Sequence, residues 1–288
     1  MIAKVLVTGA NGQLGKTLKD LYQNNSDKLD FYFVTKSELD ISNKKSLNDY
    51  FADHSFDYCI NCAAYTNVEQ AEESVEDAFK INAEAVGYLA ECCNKFNTTL
   101  IHISTDYVFD GTKNSPYFET DATNPINEYG RSKLKGENLV QEQLVQYFII
   151  RTSWLYSKYP KNFVTTIASK IQEDADLTIT TTQKGTPTSC VELSKFIYWL
   201  IKNECNQYGL YHFSSKGEAT WYDFALKIAE HFNTYDQNKI SATTSFKSRA
   251  ERPAYSVMSN SKTQMIYNEQ NNWKDDVDAV LRSIFENS

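Results

Sequence analysis

The chain has 288 residues, with 29 basic and 37 acidic side chains and a formal charge of −8. That length suffices for one large domain or two modest ones, and 41% hydrophobic against 23% charged residues excludes a disordered or collagen-like chain. The longest apolar run, Phe196–Ile201, has six residues against the roughly 18 of a membrane span, and the acidic balance argues against nucleic acid, which wants a basic stripe.

The opening Met1–Val7 is too short for a secretory signal, because Thr8-Gly9 breaks it. Six cysteines are too sparse for a disulfide scaffold, so free thiols in a reducing cytoplasm are expected. Cys59-Tyr-Ile-Cys62 has redox spacing, but it lies in an apolar strand-like run, where buried thiols are the simpler reading. The four histidines show no metal-ligand spacing.

In chain order, Lys4–Thr8 reads as a strand and Gln13–Gln23 as a helix. Phe31–Thr35 is a second strand, Ser42–Asp53 a helix capped by Ser42, and Asp57–Ala63 a third strand. Val75–Phe96 shows one long amphipathic stripe, Thr99–Ser104 is a fourth strand, Glu128–Gln146 is helical, and Tyr147–Thr152 is a fifth strand. This alternation predicts an α/β fold, a Rossmann-type doubly wound parallel sheet covered on both faces. Past residue 153 the rhythm loosens into helices at Asn162–Gln172, Glu192–Lys202, Thr220–Phe232 and Lys274–Phe285. The expected division is a dinucleotide-binding domain over 1–153 and a smaller C-terminal α/β substrate lobe over 154–288, with residues about 186–205 packing back on the first.

Gly9-Ala-Asn-Gly12-Gln-Leu-Gly15 follows the first strand and opens the first helix. Glycines there let backbone N–H groups approach a pyrophosphate at the positive end of the helix, so Gly9, Gly12, Gln13 and Leu14 are candidate dinucleotide contacts. An NAD site carries an acid about 20 residues further on to hold the ribose 2′-hydroxyl. Thr35-Lys36-Ser37 stands there instead, and Lys36 could receive the 2′-phosphate of NADP. NADPH is therefore the expected cofactor, with NADH as the alternative. Asp40-Ile41 could border the adenine.

Tyr-x-x-x-Lys occurs four times, at Tyr32/Lys36, Tyr129/Lys133, Tyr198/Lys202 and Tyr235/Lys239. Context selects one of them. Tyr32 begins a strand, where positions i and i+4 lie too far apart. Tyr198 lies on an aromatic helix suited to core packing, and Tyr235 sits in a polar loop. Tyr129 starts a helix with Lys133 one turn on, downstream of the fourth strand's end, Ser104-Thr105-Asp106. A carbonyl that receives hydride must also gain a proton, and a phenol of reference pKa about 10 is a neutral donor. An ammonium about 4 Å away stabilises the phenolate by roughly 4 kcal/mol at an effective dielectric near 20. That lowers the phenol by about three units, toward the working range of a general acid. Thr105 can bond the same carbonyl and orient it.

With these residues in place, the chain resembles the extended short-chain dehydrogenase/reductase family and, within it, the dTDP-4-dehydrorhamnose reductases. The matching segments are the Gly9–Gly15 loop, Leu39-Asp-Ile-Ser42, Asn61-Cys-Ala-Ala-Tyr-Thr66, Ser104-Thr-Asp-Tyr-Val-Phe-Asp-Gly111, Tyr129-Gly-Arg-Ser-Lys133, Arg151-Thr-Ser-Trp154, Gln183-Lys-Gly-Thr-Pro-Thr188 and Arg252-Pro253. They run through nearly the whole chain in family order. The resemblance implies NADPH-dependent reduction of the 4-keto group of dTDP-4-dehydro-β-L-rhamnose, which completes a nucleotide-sugar precursor of cell-surface polysaccharide. It implies Tyr129 as proton donor, and Lys133 as the group that lowers its pKa and holds the nicotinamide ribose. Thr105 and Asp106 would lie at the keto oxygen, Asp40 and Ile41 at the adenine, and Ala63, Ala64 and Tyr65 along the cofactor. Trp154 would pack on the sugar. Each has a plainer alternative: Ala63 and Ala64 as strand core, Trp154 as a packed aromatic.

The basic cluster Lys247–Arg252 reads either as a pyrophosphate contact through Arg252 or as a solvated loop. Some family members bind magnesium at a dimer interface through an acid two residues past the last loop glycine. Here that position is Thr17, and only Glu192 of such a site remains, so no metal and a monomer or weak homodimer are expected. Rival activities of the fold fit less well. A 4,6-dehydratase would carry Asp-Glu where this chain has Asp106-Tyr107, and an epimerase–reductase would need a Cys/His pair. Another nucleotide-sugar 4-ketoreductase, or a non-catalytic NADP-binding regulatory subunit, remain as alternatives.

Overall fold

A computed structural model describes residues 2–24, 29–245 and 247–285. The β-branched and aliphatic runs of the first half form strands that are apolar on both faces, as a parallel sheet between helical layers requires. β1 (Ala3–Thr8), β2 (Leu29–Phe33), β3 (Tyr58–Asn61), β4 (Thr99–Thr105), β5 (Tyr147–Thr152) and β6 (Gly209–His212) form one six-stranded sheet in the order β6-β5-β4-β3-β1-β2. All its pairings are parallel. The chain leaves β1 toward β2 and returns to the other side of β1 with β3, so the order reverses between β1 and β3. At such a switch point the loops part and leave a crevice at the carboxyl ends of the strands.

Successive strand residues serve opposite faces. Leu6, Cys59, Leu100 and Ile149 pack beneath α2 (Lys44–His54), α3 (Ala85–Lys95) and α4 (Glu128–Gln143). Their neighbours Val7, Ile60, Ile101 and Ile150 pack against α1 (Gln13–Tyr22) and the apolar Cys190–Lys202 helix. A separate core joins the Phe163–Gln172 helix with α-helices Trp221–Ala229 and Trp273–Phe285 around Tyr156, Phe224 and Leu281.

Several details differ from the expectation. Asn43, not Ser42, caps α2: its side chain accepts from the Ser46 N–H at 3.1 Å, while Ser42 bonds Asp40. The long stripe from Val75 is not one α-helix, because a π-helical turn over Lys80–Glu84 separates Val75–Phe79 from α3. The sheet also takes a sixth strand from the second half, with Gly209–His212 paired to Phe148–Arg151. Residue 153 is therefore not a clean cut, since both Cys190–Lys202 and β6 belong to the sheet half. All six cysteines are free thiols, and among the described residues no helix is long and apolar enough to cross a membrane.

Candidate active site

The loop after β1 packs against bare backbone. Gly9 has φ +65°, and a Cβ there would lie 2.6 Å from the Ala63 nitrogen. A Cβ on Gly15 would lie 2.6 Å from the Gly9 carbonyl oxygen, and the Gly12 N–H closes the turn by donating to that oxygen at 2.9 Å. Gly12 caps α1 with no side-chain bond, and no acid sits in the first turn. The first N–H groups of α1 are thus left for an anion at the positive end of the helix. These features fit the pyrophosphate of a dinucleotide. Beneath the loop, Asn61 accepts from Thr8 Oγ1 at 2.7 Å and meets His102 Nδ1 at 3.1 Å. Burial drives His102 well below the usual imidazole pKa, so it is neutral.

Beyond β2, the Thr35 N–H and hydroxyl both donate to Glu38 Oε2 at 2.8 Å, and these bonds hold Glu38 below the usual carboxylate range. Glu38 is thereby folded onto Thr35, and Lys36 stands exposed beside it. Burial would raise Asp40, but two bonds from Ser42 and the charges of Lys36 and Lys80 hold it low. Ile41 is a buried member of the core. Ala63 bonds back to Asn61, and both backbone groups of Tyr65 are held by Asn82, whose Oδ1 accepts at 2.8 Å and whose Nδ2 donates at 3.0 Å. Gly9, Lys36, Asp40, Ile41, Ala63 and Tyr65 border the loops and do not line the cleft that holds Tyr129 and Lys133.

That cleft, of about 520 Å³, brings together Gly12, Gln13, Leu14, Ala64, Thr105, Asp106, Tyr129, Lys133, Trp154 and Arg252. Asn127 caps α4 through the Gly130 N–H at 2.8 Å and anchors to the Glu251 carbonyl, also at 2.8 Å. A Cβ on Gly130 would lie 2.2 Å from the Tyr107 carbonyl oxygen, so only glycine lets the helix start this close to the end of β4. Tyr129 is thereby set beside Thr105, and Lys133 Nζ donates to the Ile103 carbonyl at 2.6 Å. The electrostatics reverse one expectation. Burial raises the Tyr129 phenol above its ordinary pKa, and a Thr105 hydrogen bond opposes this. Burial pulls Lys133 down to about 8, against Glu137 and Cys62. Burial pushes Asp106 up to about 6, against hydrogen bonds from Ser256 and Thr105. Tyr129 therefore rests protonated, as a proton donor must.

The other Tyr-x-x-x-Lys pairs lie elsewhere. Tyr198 stacks on Tyr22 with ring centroids 4.1 Å apart. Tyr235 lies in the polar loop expected, with its ring buried and its hydroxyl donating to the Ala175 carbonyl at 2.7 Å. Trp154 has φ +46°, unusual for a bulky residue, and stacks on Trp221 at 3.7 Å and 8°. A Cβ on Gly185 would lie 2.7 Å from Trp154 Cε2, so bare glycine backbone lies close against the indole. Arg252 donates to Glu69 Oε1 at 2.7 Å while still lining the cleft, and its loop neighbours Lys247, Ser248, Arg249 and Glu251 are exposed.

Residues 3–285 match the sequence model of the RmlD substrate binding domain. The chain belongs to this family. A dTDP-4-dehydrorhamnose reductase of Aggregatibacter actinomycetemcomitans is 36% identical over 277 residues, 92% of this chain and 94% of that protein. A dTDP-4-keto-6-deoxy-D-glucose reductase of Streptomyces niveus is 37% identical over 226 residues, 78% of this chain and 77% of that protein. The crystal structure of the dTDP-4-dehydrorhamnose reductase of Bacillus anthracis in complex with NADP has a TM-score of 0.93 and 35% identity, covering 98% of this chain and 100% of that one.

In this RmlD-family chain, the two positions considered for magnesium are otherwise engaged. Thr17 donates its hydroxyl to the Gln13 carbonyl at 2.8 Å, and buried Glu192 pairs with Lys195 at 2.7 Å. Sequence reasoning missed Trp221, the second wall of the indole stack, and Asn82, which ties the loop after β3 to Ser132 on α4 at 3.0 Å. The apolar stripe runs unbroken through Lys80, so no sequence signal marked Asn82; the π-helical turn that carries it appears only in the structure.

Proposed function

We propose that the protein reduces the 4-keto group of dTDP-4-dehydro-β-L-rhamnose to give dTDP-β-L-rhamnose, using NADPH. The observation that carries the reading is the meeting of Thr105, Tyr129 and Lys133 in one cleft with the glycine-rich N-terminus of α1. Gly9, Gly12, Gln13 and Leu14 would hold the pyrophosphate, and Lys36 the 2′-phosphate, with Glu38 folded away from it. Asp40 and Ile41 would border the adenine, and Ala63, Ala64 and Tyr65 the remainder of the cofactor. Bound there, NADPH supplies hydride to the carbonyl carbon. Tyr129 gives its hydroxyl proton to the keto oxygen, so the carbonyl becomes an alcohol with hydride and proton both accounted for. Thr105 orients that oxygen, and the Lys133 ammonium stabilises the tyrosinate left behind. Asp106, Trp154 and Arg252 would contact the nucleotide sugar, Arg252 at its diphosphate.

In this reading residues 1–153 hold the cofactor and 154–288 the substrate, apart from Cys190–Lys202 and β6 in the sheet half. The free thiols support a cytoplasmic setting. A second keto sugar, dTDP-4-keto-6-deoxy-D-glucose, is favoured by the Streptomyces niveus relative's name. A panel of nucleotide-linked 4-keto sugars assayed by loss of NADPH or NADH absorbance tests both. The expected result is fastest turnover of the rhamnose precursor with NADPH. Binding of nucleotide with no turnover of any keto sugar would favour a regulatory subunit and overturn the proposal.

A further inference from the structure

Glu137 follows Lys133 by four residues on α4, so the two share a helix face. Both are buried, at 1% and 2% exposure. Arg151 grips the Glu137 carboxylate as a fork, with Nε at 3.0 and 3.2 Å from its two oxygens and Nη2 at 2.7 Å from Oε2. The Ser104 hydroxyl donates to Oε1 at 2.5 Å. Ser104 and Arg151 are register partners across β4 and β5, and the preceding Ile103 receives Lys133. Two consecutive residues at the end of β4 thus hold two consecutive turns of α4. Stability alone is a poor reason for this arrangement, because a buried ion pair gains little over apolar residues of the same volume.

The groups facing Lys133 are few. Tyr129 and Glu137 come from its own helix, Cys62 from the end of β3 and His102 from β4, with Arg151 of β5 behind Glu137. Burial keeps His102 uncharged and raises the Cys62 thiol, so both are neutral. Glu137, as the partner of Arg151, is the carboxylate of the set.

We propose that Glu137 is a positioning residue for the proton transfer: clamped by Arg151 and Ser104 one helical turn past Lys133, it steadies the Lys133 ammonium in the cleft that Tyr129 also lines. This rests on the reading of Tyr129 and Lys133 given above. Burial pulls Lys133 toward its neutral form, and Glu137 is the first charge opposing it. A lysine loses its charge as pH rises through its folded pKa, so removing the carboxylate moves that loss to lower pH.

The test uses the full chain and two measurements. One is kcat with saturating NADPH from about pH 6 to pH 10. The other is the pH dependence of Lys133 acetylation by acetic anhydride, read by mass spectrometry, which needs no turnover. In Glu137→Gln the alkaline fall in kcat and the labelling midpoint should both move down by about one unit, a loss of about fivefold near pH 8 that approaches about tenfold at higher pH. Glu137→Asp should restore both. If Glu137→Gln fails to fold because Arg151 is left unpaired, the double variant Glu137→Gln/Arg151→Gln removes both charges and should still shift the midpoint down, by less than the single variant, because the Arg151 cation that opposes the Lys133 charge is gone as well. An unmoved midpoint, or a loss equal at every pH, would overturn the proposal. A labelling shift without wild-type turnover would instead retire the reductase reading.

Discussion

Asp106→Asn should make the protein more stable and less active. In the folded chain the Asp106 carboxyl is pushed from 3.8 up to about 6, first by burial, with Ser256 and Thr105 hydrogen bonds opposing. The folded state therefore binds this proton more tightly than the unfolded one, and stability is lost as pH rises through that window. About two units at 1.4 kcal/mol each is about 3 kcal/mol, fully lost above about pH 7 and absent below about pH 4. Asparagine has no such titration, and its amide oxygen can still accept from Thr105, which donates to Asp106 Oδ1 at 3.1 Å. Urea unfolding of both proteins should give a gain for Asp106→Asn of about 1 kcal/mol near pH 4.5 and about 3 kcal/mol near pH 7.5. A gain that does not change with pH, or a loss at both, would refute the claim that burial of the charge sets this cost. Turnover should fall in the variant, since a site that keeps a strained group normally uses it.

Tyr129→Phe removes the proton donor and keeps the ring, so kcat should drop by roughly 10²-fold or more with NADPH affinity nearly unchanged. Steady-state kinetics and cofactor titration check this, and the same change at Tyr32, Tyr198 or Tyr235 should leave the chemistry intact. Lys36→Ala should raise KM for NADPH more than for NADH, because Glu38 is already bound to Thr35 and Lys36 is the exposed charge beside it; equal effects would show that Lys36 does not reach the 2′ position. Activity should survive EDTA, and magnesium should not change the sedimentation profile, because Thr17 offers a neutral hydroxyl already bonded to Gln13. Magnesium-restored activity or magnesium-dependent dimers would overturn that reading.

The sheet half was legible because its signals are local. Lys-Val-Leu-Val-Thr followed by three spaced glycines states a strand, a tight turn and a helix start within twelve residues. Tyr129 and Lys133 stood out because one helical turn joins them just downstream of the Ser104-Thr105-Asp106 strand end. What escaped depends on partners far away in the chain. Gly209–His212 carries only four residues of strand pattern, and its place beside β5 is set by packing. Trp221 opens an ordinary capped helix, and nothing near it indicates the indole it faces. The reversed shift at Tyr129 was missed for a related reason: a pairwise charge argument cannot see how much water the neighbouring residues exclude.

The late arrival of β6 has a consequence for synthesis. When β5 is complete, its outer edge has no partner, and the residues between 152 and 209 must still be made before β6 can cover it. At about 5–20 residues per second this takes roughly 3 to 11 s. During that time Phe148, Ile149 and Ile150 present an open apolar strand, the kind of edge through which chains pair wrongly. A fragment ending near residue 153 keeps that edge open permanently and should aggregate, although it holds the whole glycine-rich loop and the Tyr129–Lys133 pair.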